Sequence, residues 1–125
     1  MRRTWTSLKR RADFLRIAAS GLRRVTPGFI LQAAATPETD QRIGFTVTRK
    51  VGNAVVRNRA KRRLRAVADT VFKAAAPRGL DYVMIGRSET LTRDFAQMVD
   101  DLRQALDRLK ASPARSAAPK PPSAS

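Results

Sequence analysis

The side chains best suited to chemistry form a basic run over residues 49–65. This run carries eight Lys or Arg residues and no acid, and six of the eight are Arg. The planar guanidinium of Arg donates paired hydrogen bonds to phosphate and stacks on nucleic-acid bases. Asn53 is predicted to cap a helix that begins within the run, and a helix N-terminus adds partial positive charge. The run therefore predicts a surface that binds a polyanion.

A self-contained hydrolytic site is not predicted. The chain has no His and no Cys, which excludes a His acid–base pair and a thiolate metal site. Its ten acids are scattered, and Asp100 and Asp101, adjacent on a predicted helix, point in different directions. No phosphate-binding or dinucleotide-binding glycine loop occurs, so no dinucleotide or small-molecule cofactor is expected. The chain is expected to bind its target while another molecule supplies the catalysis.

The overall charge agrees with that expectation. Among 125 residues, 26 Lys and Arg against 10 Asp and Glu give a net charge of +16. The charges are segregated, since residues 1–24 carry eight further cations and only Asp13 as an acid. Such an excess repels itself in a compact protein unless a polyanion neutralises it. No apolar run reaches the length of a membrane span, and the basic start lacks a secretory apolar region, so a cytoplasmic protein without a membrane partner is expected.

The hydrophobic pattern predicts the elements that position the basic run. Helices are expected over residues 8–19, 53–75 and 93–110, and strands over 28–35, 42–49 and 80–86, with a small extra strand at 22–26. The short link between the first two of these strands favours an antiparallel hairpin, and the helix 53–75 would join parallel strands 42–49 and 80–86. The prediction is one α+β domain, residues 1–110, with a small, mostly antiparallel sheet and three helices. Residues 111–125, rich in Ala, Pro and Ser, are expected to be a disordered tail.

Local residue patterns predict the faces and ends of these elements. Phe29, Leu31 and Ala33 would point inward from the first strand, as would Ile43, Phe45 and Val47 from the second. The buried stripe of the first helix would comprise Leu8, Ala12, Leu15 and Ala19, with Phe14 and Ile17 beside it, and that of the last helix Phe95, Val99, Leu102, Leu106 and Leu109. Thr6 or Ser7 and Thr92 would cap the first and last helices, Gly21 would end the first, and Pro77 and Gly79 would stop the second. The last helix holds four acids, so it should face away from the polyanion.

The basic helix has cations on two sides. Three arginines point away from the apolar stripe on a helical wheel: Arg59, Arg62 and Arg63. Arg57 and Lys61 instead lie close to the azimuth of Leu64. Either the contact with the sheet begins only at Ala60, or the first turn overhangs a groove and Arg57 reaches ligand from the packing side; the two accounts are compatible.

The segment Gly44 to Arg62, with the sequence GFTVTRKVGNAVVRNRAKR, resembles the RNR signature of the bacterial ribonuclease P protein family. The match is long and ordered, unlike a generic basic stretch. Leu8-Lys9-Arg10 with Asp13-Phe14 also fits the family's opening helix, and the order of helix, hairpin, basic helix, strand and helix agrees along residues 8–110.

The resemblance implies a ribosomal-protein-like two-layer α+β sandwich with a left-handed β–α–β crossover. It implies a non-catalytic subunit that assists an RNA enzyme in removing the 5′ leader of precursor tRNA, with Mg²⁺ held mainly by that RNA. Mapped onto this chain, the contacts with the catalytic RNA subunit are Arg57, Asn58, Arg59, Lys61, Arg62 and Arg65. The cleft for the precursor tRNA leader would be formed by Phe14, Ile30, Gln32, Thr46, Thr48, Arg49 and Lys50.

One departure from the family pattern affects the cleft. Ala18 and Gln32 stand where family members often place aromatic residues, so base stacking would depend mainly on Phe14. Stacking contributes roughly 1–3 kcal/mol per base, which predicts weaker aromatic and stronger electrostatic binding of the leader. A core position under the first helix is the competing interpretation of Phe14.

Two other functions share the charge and the lack of catalytic residues. A structural ribosomal or rRNA-assembly protein would bind folded RNA without an open cleft. A DNA-binding module would insert the basic helix in the major groove, which is awkward for a helix that packs along much of its length.

Overall fold

The structure is a computed structural model that describes residues 5–20, 22–36, 41–72 and 80–111. Its strands are β1 (Trp5–Ser7), β2 (Leu22–Val25), β3 (Phe29–Ala35), β4 (Gln41–Val47) and β5 (Leu80–Gly86). Its α-helices are α1 (Arg11–Ala19), α2 (Ala54–Val71) and α3 (Phe95–Ala111), and short 3₁₀ helices occur at Arg49–Val51 and Ser88–Thr90. The α+β class and the three helices are confirmed. The predictions for Gly21, for residues 73–79 with Pro77 and Gly79, and for the tail from residue 112 onward lie outside the described residues.

The five strands form one mixed sheet in the order β1-β4-β5-β3-β2. As predicted, β4 and β5 are parallel and α2 connects them. The predicted hairpin of β3 with β4 is wrong, because β5 lies between them and pairs antiparallel with β3. The apolar segment Leu80–Gly86 is almost entirely buried, which suits a central strand covered on both faces. Two of the four strand pairings are parallel, so the sheet contains more parallel pairing than the mostly antiparallel sheet that was predicted. The left hand of the crossover from β4 through α2 to β5 stays a prediction.

Strand β1 was not predicted. It pairs parallel with β4 at the edge of the sheet, where Trp5 is 5% exposed. The Trp5 indole Nε1 donates a hydrogen bond of 2.9 Å to the Asp69 carboxylate, and its ring meets Phe45 edge-on at 5.3 Å between centroids. Thr6 and Ser7 belong to this strand, so neither caps α1, which begins only at Arg11.

The main core lies between the sheet and the pair α2 and α3. The inward face predicted for β3 is confirmed, because Phe29, Leu31 and Ala33 are fully buried there. Ile43 and Val47 of β4 are buried in the same cluster, and Phe45 is packed against it while partly buried. The remaining members from the helices include Ala60, Leu64, Val67, Ala68, Val71, Met98, Leu102, Ala105 and Leu106. This face of the sheet is closed to solvent.

Helix α1 covers only part of the opposite face. Ile17 is fully buried there and packs with Leu8, Ala34 and Val83, with Phe14 partly buried beside them. The stripe predicted for this helix is wrong, since Ala12, Leu15 and Ala19 are exposed and Leu8 precedes the helix. The helix starts later than expected and packs through a different side, which leaves an open area beside it.

The ends of α2 and α3 depend on single polar side chains. Asn53 caps α2 as predicted, since its side-chain oxygen accepts a hydrogen bond of 3.0 Å from the Val56 N–H. For α3, the Asp94 carboxylate accepts from the Gln97 N–H at 3.2 Å, so Asp94 replaces the predicted Thr92 as the capping side chain. Phe95 is 36% exposed and does not belong to the buried stripe. No helix in the described part of the chain is long and apolar enough to cross a membrane.

Candidate nucleic-acid interface

The connection from β4 to α2 exposes the first cations of the basic run. After β4 ends at Val47, Thr48, Arg49 and Lys50 are all exposed, the last two within a 3₁₀ helix. The next turn contains Gly52. A larger residue does not fit there, because its Cβ atom would lie 2.8 Å from the Val56 side chain. The tight connection directs the N-terminus of α2 and these two cations to the same end of the sheet.

The outward face of α2 carries part of the predicted RNA-binding set. Arg59 and Arg62 are exposed, as the helical wheel predicts, and Asn58 is exposed beside them. They lie within the first half of the helix, next to its capped N-terminus. A phosphate at this position would meet guanidinium donors and the positive end of the helix dipole together.

The remaining cations of that set flank the sheet. Arg57, Lys61 and Arg65 are partly buried and spaced four residues apart on one side of α2. The Arg57 guanidinium donates to the Gly52 carbonyl at 3.2 Å, and the Arg65 guanidinium lies 5.7 Å from the centroid of the Phe45 ring. The first buried residue of the helix is Ala60, so its first turn extends beyond the core. This geometry agrees with the account in which contact with the sheet begins at Ala60, while contact of Arg57 with a ligand stays a prediction.

Arg63 departs from the wheel. The wheel places it in solvent, but its Nη1 donates to the carbonyls of Thr90 and Leu91 at 3.0 and 2.8 Å. Its guanidinium also lies 6.0 Å from the centroid of the Phe95 ring. Arg63 therefore ties α2 to the segment before α3, a contact between distant parts of the chain that helical periodicity does not reveal.

A groove of about 460 Å³ lies between α1 and the uncovered face of the sheet. It is lined by Lys9, Arg11, Phe14, Leu15, Ala18, Gln32, Phe45, Thr46, Val83 and Ile85. Three residues of the predicted leader cleft, Phe14, Gln32 and Thr46, are brought together here. Ile30 is the register partner of Ile85 and lies next to the groove, while Thr48, Arg49 and Lys50 follow the end of β4 beyond it.

Two cations of the groove, Lys9 and Arg11, were not assigned to the cleft from the sequence. Their signal was the acid-poor basic stretch that opens the first helix. Both are exposed, whereas Val83 at the base of the groove is buried. The groove thus combines an apolar base with a cationic rim, which suits bases and phosphates of a single strand.

Phe14 serves the core and the groove together. Its ring is half-buried against the small cluster under α1 and also lines the groove. A side chain at Gly44 would come within 2.5 Å of this ring, so the glycine of β4 makes room for it. The ring therefore packs under α1 and also lies on the groove, and its stacking on the leader stays a prediction.

A buried ion cluster fixes α1 on the sheet. Asp81 of β5 is fully buried, and its carboxylate accepts hydrogen bonds from Arg42 Nε at 3.0 Å and Arg42 Nη2 at 2.7 Å. Arg16 of α1 donates to the same carboxylate and, at 3.1 Å, to the Ala35 carbonyl. The last turn of α1 is thereby attached to two strands, which sets the separation of α1 from the sheet and hence the width of the groove.

An ion pair joins Arg93, just before α3, to Asp101 of that helix. The hydrogen bond from Arg93 to Asp101 raises the pKa of the Arg93 guanidinium, which stays charged. Within the described ranges, no three His, Cys, Asp or Glu side chains converge as metal ligands would. The two surfaces offer cations and apolar area, not a set of carboxylates for a catalytic ion.

Comparisons with known proteins agree on one family. A family model described as Ribonuclease P matches residues 3–110. A ribonuclease P protein component from Paramagnetospirillum magneticum is 52% identical over 123 residues, which cover 94% of this chain and 92% of that protein. One from Gluconacetobacter diazotrophicus is 51% identical over 100 residues, covering 79% of this chain and 86% of that protein.

Solved structures show the same fold. The RNase P protein from Thermotoga maritima matches with a TM-score of 0.70 and 30% identity, covering 86% of this chain and 97% of that one. The RNase P protein from Staphylococcus aureus matches with a TM-score of 0.69 and 28% identity, covering 83% of this chain and 94% of that one.

Proposed function

The chain belongs to the ribonuclease P protein family as a subunit of that tRNA-processing ribonucleoprotein, and we propose that α2 docks on the catalytic RNA subunit while the groove beside α1 holds the 5′ leader of precursor tRNA. The family match disfavours the alternative of a ribosomal or rRNA-assembly protein. These two roles rest on one observation. Two cationic surfaces lie on opposite sides of one sheet and meet at Arg49 and Lys50.

The N-terminal half of α2 supplies the RNA-subunit contact. Arg59 and Arg62 point outward with Asn58, and Arg57, Lys61 and Arg65 extend the same charge along the flank. Since Arg57 and Arg65 already contact the protein, their guanidinium groups are held in place before RNA binds. Ordered cations lose less conformational entropy on binding than flexible ones.

The groove supplies the leader contact. Phe14 offers a ring for stacking, while Gln32 and Thr46 offer hydrogen-bonding groups along the sheet. Lys9 and Arg11 neutralise phosphates at the rim, as do Arg49 and Lys50 beyond β4. Affinity for the leader distinguishes precursor from mature tRNA, because only the precursor carries it.

In this proposal the RNA subunit carries the chemistry, in the cytoplasm. It would also hold the Mg²⁺, which would supply an activated water. The described part of the chain lacks a converging set of carboxylates or histidines, so its residues do not fit the role of a magnesium site. The protein's own residues bind and orient: they screen phosphate repulsion between the two RNA molecules and align the leader. No step of bond cleavage is assigned to a side chain.

Reconstitution tests the proposal as a whole. The chain and the cognate RNA subunit are mixed at a low Mg²⁺ concentration at which the RNA alone is inactive, and cleavage of the leader is followed. Rescue of cleavage is expected. The proposal fails if the chain does not rescue cleavage, or if the chain alone processes the precursor. Competition between duplex DNA and structured RNA tests the DNA-binding alternative.

The salt dependence of binding tests the assignment of α2. Arg57→Ala and Arg62→Ala are each expected to weaken binding to the RNA subunit and to reduce the slope of log K against log salt by about 0.7–0.9 per lost phosphate contact. Arg103→Ala, which removes an exposed cation of α3, is the matched control. If both α2 variants keep the affinity and the slope of the unmodified chain, α2 is not the docking surface.

A further inference from the structure

The face of the sheet beside α1 continues past the groove as ordered rows of residues. One row crosses four strands through the register partners Thr46, Ile85, Ile30 and Val25. A neighbouring row runs through Gly44, Val83, Gln32 and Arg23. Helix α1 covers Gly44 and Val83, since Phe14 lies on the former and Ile17 packs against the latter. The first row is covered less: Thr46, Ile85 and Ile30 are partly buried, and the row ends at Val25, which is 60% exposed.

A second groove, of about 390 Å³, lies around the edge strand β2 where these rows end, on the side of the sheet that α3 covers. It lies between the end of β2 and α3 and is lined by Arg23, Arg24, Val25, Thr26, Pro27, Asp101, Gln104, Ala105 and Arg108. Only one strand pairing separates it from the first groove. Gln32 lines the first groove, and its partner Arg23 lines the second.

The second groove is cationic although it borders the acid-rich helix α3. Arg23 and Arg24 of β2 line it against the single acid Asp101, while Arg108, which also lines it, already has a partner within the protein. Arg93 Nε lies 2.8 Å from the Asp101 carboxylate, so this acid is already compensated within the protein. The excess charge in the groove therefore favours an anion. The exposed Val25 and Pro27 add apolar surface beside the charges, a combination that suits a nucleotide.

From this continuity we propose that the second groove is a further subsite for single-stranded RNA, which holds the part of the leader that emerges from the first groove. The RNA crosses the sheet along Ile85, Ile30 and Val25 and then passes over the edge strand β2, where its phosphates reach Arg23 on the face beside α1 and Arg24 on the side of α3. This subsite rests on the proposed role of the first groove and extends it with residues of β2 that belong to neither surface described above.

The geometry sets a length for the RNA. Crossing from β4 to β2 spans three interstrand distances, about 14 Å in all. This equals about four nucleotides at the rise of roughly 3.4 Å of a stacked strand, and fewer if the strand is extended. Leaders that only fill the first groove should not reach Arg23 and Arg24, whereas leaders longer by about this amount should.

The test uses the full chain assembled with the RNA subunit and a series of precursor tRNAs of increasing leader length. Affinity is expected to rise in two steps, one when the first groove is filled and one when the second is reached. Arg23→Gln/Arg24→Gln should remove the second step, a loss of about fivefold to tenfold for long leaders, as expected for two ion contacts at the protein surface, one exposed and one partly buried. It should leave the affinity for short leaders unchanged.

Arg103→Gln is the matched control, because Arg103 is exposed on α3 but lines neither groove. Arg23→Gln alone, at an exposed position, covers the case in which the double variant folds poorly, and it should lower the affinity for long leaders only. Equal losses for short and long leaders, or none for long leaders, would overturn the second subsite. If the unmodified complex does not prefer short-leader precursors over mature tRNA, the role of the first groove fails instead.

Discussion

Removing the buried charge of Asp81 should loosen α1 from the sheet. In Asp81→Asn the shape is retained, but one carboxylate oxygen becomes an amide N–H that faces the donors of Arg16 and Arg42. Breaking a fully buried ion pair costs roughly 3–5 kcal/mol. The side chains of Arg16 and Arg42 are 40% and 26% exposed, so water can solvate both after the change. The expected loss in the free energy of unfolding is therefore about 2–3 kcal/mol.

Urea unfolding followed by circular dichroism measures this loss. Asp107→Asn, at an exposed position on α3, is the matched control and should stay within about 0.5 kcal/mol of the unmodified chain. A double-mutant cycle with Arg16→Gln isolates the part of the loss that passes through α1.

The same variant links the ion cluster to function. Because Arg16 attaches the last turn of α1 to the sheet, Asp81→Asn should weaken binding of the leader more than docking on the RNA subunit, which uses the opposite side of the sheet. An Asp81→Asn variant that matches the control in unfolding free energy, or shows no coupling with Arg16, would refute the reasoning.

Three further perturbations test individual contacts. Arg63→Gln should lower the free energy of unfolding by about 1–3 kcal/mol, because two carbonyls lose a charged donor, and it should change the affinity for the RNA subunit little. Arg59→Gln should weaken that affinity and leave the free energy of unfolding nearly unchanged. Equal effects of the two variants on affinity would contradict the distinction. Gly44→Ala should destabilise by about 1–3 kcal/mol in urea, because its methyl group would collide with the Phe14 ring, and Phe14→Leu in the same chain should recover part of the loss. Burial, and next the charge of Asp81, raise the pKa of Tyr82 well above 10.0, so the folded state keeps its phenol proton where the unfolded chain loses it. The free energy of unfolding should then be insensitive to Tyr82 below pH about 10 and fall by up to about 1.4 kcal/mol per pH unit above it. Tyr82→Phe should lack this pH dependence. Tyr82 is the chain's only tyrosine, and tyrosinate absorbance that appears near pH 10 in the folded chain would contradict the prediction.

The sequence predicts what depends on local residues. The Asn53 cap and the inward side chains of β3 follow from hydrogen-bonding capacity and strand alternation, and both are confirmed. The leader cleft was predicted only through the family resemblance, and three of its residues, Phe14, Gln32 and Thr46, line the groove.

What the sequence did not predict depends on contacts between distant segments. Strand β1 has only three residues and exists through its pairing with β4, 36 positions along the chain from Trp5 to Gln41. The link between β3 and β4 predicted a hairpin because these strands are neighbours along the chain. In the sheet β5 lies between them, because this mostly apolar strand is buried at the centre. Arg63 appeared solvated because a helical wheel does not include the carbonyls of Thr90 and Leu91.

The central place of β5 also determines when the sheet can assemble. Since β3 and β4 both pair with β5 and not with each other, they cannot close as the chain leaves the ribosome, and they wait until Leu80–Gly86 has been synthesised. Folding therefore requires contacts of high sequence separation, which slows it relative to a sheet of successive hairpins. During that interval the basic segment that becomes α2 is already made, so nascent chains present their cations before their core exists. A chain truncated before Leu80 would keep the inner edges of β3 and β4 unpaired, and such edges promote aggregation.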